Sequence, residues 1–113
     1  MTRTIVVLGM MAKIPVPGVV WQTLHYLIGF RRLGFDVHYV EAHARTPTML
    51  MREPGDDGAR LAARFIDSVL RPYGFGDRWA FHALHDDGSV LGMESARLAR
   101  TYREAEQIGR AHV

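Results

Sequence analysis

The stretch "IVVLGMMAKIPVPGVVWQTLHYLIGFRRLGFDVHYVE", Ile5 to Glu41, constrains the fold more than any other part of the chain. Ile5–Leu8 is an unbroken apolar run with β-branched residues, the pattern of a parallel strand covered on both faces. Gly18–Leu33 has the length of a helix, and Val20, Leu24, Leu27, Ile28 and Phe30 give it a broad apolar face. Pro17 fits the start of that helix, and Gly34 fits a left-handed cap just past its end. Arg31 and Arg32 fall in the last turn, where positive charge suits the helix dipole. Phe35–Glu41 then alternates as a second strand, with Val37, Tyr39 and Glu41 on one side and His38 and Val40 on the other.

The remainder continues the alternation. Residues 42–58 predict a long loop, after which Asp56 or Asp57 caps a helix from about Ala59 to Arg71. Pro72 stops it. "RWAFHALH" predicts a third strand and "DDGSVLG" a turn or short hairpin. A last helix is expected over about Glu94–Ile108, with Leu98, Tyr102 and Ala105 at helical spacing. Arg100–Glu104 and Glu106–Arg110 would form pairs at spacing four, worth tenths of a kcal/mol each. The order β-α-β-α-β-α predicts an α/β fold, a three-layer Rossmann-like half on a short parallel sheet, forming one partial domain over 1–113.

Composition narrows the partners. The chain has 14 basic and 12 acidic residues, and the small excess lies within the first forty. No basic stripe of the kind that tracks a phosphate backbone is present, so nucleic acid is excluded as a partner. Cysteine is absent, which removes disulfides, thiolate catalysis and cysteine-ligated metals. The uncharged run Ile14–Phe30 contains Pro15, Pro17, Gln22 and His25, too short and too polar for a membrane span. The "MTRTIVVLGMM" start reads as a buried first strand and not as a signal peptide, because Lys13 and two prolines interrupt it. A cytoplasmic location is expected.

The loop between the first strand and the helix carries the chemistry of interest. Eight residues, "MMAKIPVP", separate Gly9 from Gly18, so the G-x-G-x-x-G dinucleotide fingerprint is absent. Pro15 and Pro17 stiffen the loop into a wall, and free amides at the helix start would attract an anionic or hydroxylated ligand. Gly9, Met10, Lys13, Gly18 and Trp21 are the ligand-loop candidates; Lys13 is the only lysine. Glu41 and His43, at the exit of the second strand, are candidates for an acceptor-binding rim. Met49, Leu50 and Met51 offer an adaptable apolar wall. His82, His85, Asp86 and Asp87 do not make a metal site, since strand residues three apart point to opposite faces. Trp21, Tyr26, Trp79 and Phe81 read as core aromatics, and His25 as packed on the sheet.

The Ile5–Glu41 stretch resembles the opening of bacterial glycosyltransferases of the GT-B fold. The "L-G-x-D-V-x-x-V" pattern at Leu33–Val40 carries the resemblance most clearly, and "MAKIPVPGVVWQTLHYL" and "YGFGDRWAFHAL" point to a narrower group within that fold. The resemblance covers roughly residues 4–105. It implies the N-terminal, acceptor-side portion of an enzyme that transfers a sugar from a nucleotide-sugar to a small-molecule acceptor, with no obligatory metal or other cofactor. Two departures follow. The first loop has no histidine to act as general base, so no catalytic residue is assigned. The C-terminal, nucleotide-sugar-binding domain is absent from the 113 residues, so the chain is expected to be inactive alone.

A fourth strand beside the first is also missing from this reading. Ile5–Leu8 would then form an apolar edge open to dimerisation or to a partner chain. The alternatives are a small Rossmann-like nucleotide- or sugar-binding module, or a half-fold subunit needing a partner. Donor, acceptor and stereochemistry stay open at this level.

Overall fold

The computed structural model describes residues 3–42, 50, 52–53, 55–83 and 88–110. Strand β1 is Thr4–Leu8, helix α1 Pro17–Arg32 and strand β2 Asp36–Ala42. Helix α2, Gly58–Leu70, runs into a 3-10 turn at Arg71–Tyr73, and β3 is Trp79–His82. The short β4 (Val90–Gly92), helix α3 (Ser95–Glu104) and β5 (Ala105–Arg110) complete the chain.

Local chemistry accounts for the helix ends. Pro17 occupies the first turn of α1, where its missing N–H costs nothing. At the other end Gly34 adopts φ +93°, and its N–H bonds to the Arg31 carbonyl at 2.9 Å while that of Phe35 reaches Phe30 at 3.2 Å. This pair of bonds is a Schellman cap, and the Phe30 and Phe35 rings meet edge-on at 6.2 Å across it. Asp57 caps α2 by accepting the Arg60 N–H at 3.1 Å. Asp56 instead takes the N–H groups of Arg52 (2.9 Å) and Glu53 (3.1 Å), fastening the chain ahead of the helix.

The sheet order is β4-β3-β2-β1-β5. β1 pairs in parallel with β2 and β5, and β3 in parallel with β2, while β4 is antiparallel to β3. The fold is therefore α/β with an open mixed sheet, not the purely parallel one expected. β4 runs antiparallel to β3 at this edge, where the Ala83 N–H bonds the Ser89 carbonyl at 2.9 Å and the Gly88 N–H bonds the Ala83 carbonyl at 3.0 Å.

A second correction concerns the last helix. It ends at Glu104, and residues expected to be helical through Ile108 form β5 beside β1. A strand there supplies partners for the N–H and C=O groups along one side of β1, a gain that outweighs a modest helix propensity interrupted by Gly109. Ile5–Leu8 is consequently an interior strand, and the edge expected to drive dimerisation or partner pairing through strand 1 does not exist. The Arg100–Glu104 pair is not formed either, and Glu106–Arg110 lie in a strand rather than at helical spacing.

Alternate strand residues face different layers. Ile5, Val7, Val37, Tyr39, Trp79 and Phe81 pack beneath α1 and α2 with Leu24, Leu27, Ala62 and Ile66. Val6, Val40 and Ala80 face the other way, onto Met93 and Leu98 of the α3 side. Both faces are covered, as the uninterrupted apolar run of β1 requires.

Candidate functional site

β1 lies where the strand order reverses, since β2 and β3 extend the sheet on one side and β5 on the other. In open α/β sheets that reversal opens a crevice at the carboxyl ends of the strands. The segment between β1 and α1 follows the carboxyl end of β1, at that reversal.

This segment is held from below by two residues of β2. Residues 10–14 make a single helical turn, closed by a 2.9 Å bond from the Ile14 N–H to the Met10 carbonyl. Its leading N–H groups point at the sheet. Ala12 donates to both carboxylate oxygens of Glu41, at 3.1 Å each, and Lys13 donates to Oε2 at 3.1 Å. Met11 donates to the Tyr39 hydroxyl at 3.1 Å, and that hydroxyl donates to Glu41 Oε1 at 2.5 Å. Glu41 and Tyr39 are both 0 % exposed. Burial first, and then the neighbouring Glu41 charge and hydrogen bond, push the Tyr39 phenol well above its ordinary value, so it remains a hydroxyl donor.

This arrangement corrects two expectations. Glu41, the rim candidate, is wholly buried and accepts hydrogen bonds from the loop and from Tyr39. The amides of Met11, Ala12 and Lys13 are not free for a ligand. Those of Val19 and Val20, in the first turn of α1, bond to the Val16 carbonyl at 3.1 Å. A phosphate would therefore find few donors here, in contrast to a dinucleotide-binding turn.

The other candidates separate into two groups. Gly9 is a packing requirement, because a Cβ there would lie 2.5 Å from Tyr39 Cε1 and 2.8 Å from its hydroxyl. Gly18 faces open space, with nothing within 4 Å of such a Cβ. Met10 contributes the carbonyl that closes the turn. The half-buried Lys13 side chain has no ion-pair partner among the described residues.

Trp21 is 53 % exposed and Tyr26 43 %, so neither is a core aromatic, and His25 is exposed beside Trp21 and not packed on the sheet. Trp79 and Phe81 are core residues as expected. Trp21, Pro15, Pro17 and Val20 border an open, uncharged groove of about 430 Å³, which Phe65 and Tyr73 also line. Leu50 packs on the main core. His43, Met49, Met51, His85, Asp86 and Asp87 lie outside the described residues, and among the described residues no three potential ligands gather around a metal position.

Tyr39 was missed as part of this site. Its signal was present in the alternation of β2, which puts residues 39 and 41 on one face, two positions apart. No family model matches the chain, and neither a curated protein nor a solved structure is similar to it.

Proposed function

We propose that this chain is the acceptor-side region of a GT-B-type glycosyltransferase, binding a small hydroxylated acceptor at the carboxyl end of β1. One observation supports this reading above the others. The loop at the strand-order reversal has its amides engaged by Glu41 and Tyr39, so it offers a wall and not a phosphate cradle. That is the requirement of an acceptor site, where a neutral alcohol must be positioned without attracting the donor's pyrophosphate.

The groove beside it has no charged side chain, and Trp21 and Tyr73 stand partly exposed on its flanks. Lys13 supplies a positive charge close in sequence to its proline wall. In this reading the nucleotide-sugar is held by a second Rossmann-like domain, and the chain alone binds acceptor without turnover. The base that deprotonates the acceptor hydroxyl is left unassigned.

The test is an NMR titration of the ¹⁵N-labelled chain with simple glycosides and, separately, with UDP-glucose and GDP-mannose. The reading expects saturable shifts in residues 9–21 with a glycoside, none there with either nucleotide-sugar, and no sugar transfer by the chain alone. Nucleotide-sugar binding at residues 9–21 without glycoside binding would overturn it in favour of a nucleotide-binding module.

A further inference from the structure

At the opposite end of the sheet, where β2 and β3 begin, a polar cleft of about 260 Å³ opens against α3. Asp36, Arg78, Arg97, Arg100 and Glu104 line it, with His38 in its wall. The charges there are unevenly paired. Arg78 hydrogen-bonds Asp36 through its guanidinium, and Asp36 also meets His38 Nε2 at 3.2 Å. Arg97 and Arg100 have no ion-pair partner among the described residues, although Glu104 follows Arg100 by one turn.

Arg97 is the informative residue. It is half-buried and borders a second cavity of about 480 Å³, in which Arg71 is already bound to Asp67 by two bonds of 2.9 Å. A guanidinium that has lost part of its hydration without gaining a counter-charge is a poor structural choice. Two arginines three apart on a helix share a face, and their planar forks match the oxygens of a phosphate.

We propose that Arg97 and Arg100 bind a phosphate group in this cleft, assisted by Arg78. The cleft exceeds the volume of a phosphate ion, and Asp36 and Glu104 provide acceptors for hydroxyls on an attached organic portion. Three guanidiniums against two carboxylates hold one phosphate and not a polyanion. The site is separate from the acceptor site at the other end of the strands and does not depend on it.

His38 provides a reporter inside the protein as it stands. It is faced by Arg97 and Glu104 from α3, by Asp77 ahead of β3 and by Asp36 on its own strand. Arg97's charge is one of the causes that lower its pKa, so an anion on Arg97 must raise it.

The chain is titrated by NMR with inorganic phosphate and with glycerol 3-phosphate, at constant ionic strength and against chloride. Expected are saturable shifts in the amides of residues 97–101, an upward move of the His38 pKa, and at least tenfold weaker binding in Arg97→Gln and Arg100→Gln. Tighter binding of glycerol 3-phosphate marks an organic phosphate as the ligand; tighter binding of the free ion marks phosphate itself. Folding of the variants is read from their unshifted core resonances. Equal responses to chloride and phosphate, an unmoved His38, or unchanged affinity in folded Arg97→Gln overturns the proposal.

Discussion

Tyr39 and Glu41, two residues apart on one strand face, share a 2.5 Å hydrogen bond at full burial and together bind three successive amides of the preceding loop. The Glu41 side chain is thereby matched by donors from two directions, the condition under which a buried polar group is tolerated. Removing it would strand the hydroxyl and two backbone N–H groups away from water.

Glu41→Ala is therefore expected to destabilise the chain by about 1–3 kcal/mol for each buried donor left without its acceptor, more in total than a change that strands one. Tyr39→Phe, which strands only the Met11 N–H and relieves Glu41 of one donor, should cost about 1–3 kcal/mol. Urea denaturation followed by circular dichroism measures both. Equal and small losses would show that the loop is held by something else.

The two loop glycines should behave oppositely. Gly9→Ala places a methyl group 2.5 Å from the Tyr39 ring, and overpacking of this kind costs about 1–3 kcal/mol. Gly18→Ala meets open space in the first turn of α1, and should be neutral or stabilise by about 0.4–1 kcal/mol through the unfolded chain. Thermal melts of the two variants side by side distinguish a packing glycine from a dispensable one.

His38 should make stability depend on pH. Burial first, and then the Arg97 charge, lower its pKa in the folded chain. An unfolded imidazole titrates near about 6.5, so below that pH the unfolded chain binds more protons than the folded one. Stability is fully present above that value and falls as the pH drops through it. Denaturation midpoints at several pH values from 5 to 8 should show this slope, and His38→Phe should flatten it.

Deleting residues 105–113 should restore the edge that β5 covers. Ile5–Leu8 would then expose a row of unpaired backbone groups beside a wholly apolar sequence. The shortened chain is expected to self-associate or precipitate under conditions in which the parent does not. Light scattering on matched concentrations decides it, and a monodisperse shortened chain would mean that β5 contributes little.

The legible parts of this fold were those governed by neighbours in sequence. Gly34 announced its left-handed cap because a helix end and a glycine are adjacent, and the Asp56–Asp57 pair announced an N-cap for the same reason, which Asp57 supplies. The apolar run of β1 correctly indicates cover on both faces, yet its sequence alone leaves it an open edge, because the chain through Ile108 reads locally as helix. Only the unsatisfied side of β1, about a hundred residues away in the chain, makes a strand the better state there.

Glu41 failed differently. Its residue type and strand-end position suit solvent or a ligand, and nothing local says that a loop thirty residues earlier will fold its amides onto it. The "L-G-x-D-V-x-x-V" pattern is likewise architectural here. Gly34 caps, Asp36 anchors Arg78, and Val37 and Val40 fill opposite faces of the sheet.

The engagement of the loop by Glu41 has one more consequence. Fixing a residue's backbone costs about 1–2 kcal/mol in conformational entropy. For residues 10–14 that cost is incurred when the domain folds, not when a ligand arrives. Whatever binds against this wall meets a preorganised surface, so its affinity should change little with loop mobility and its association should need no closing step.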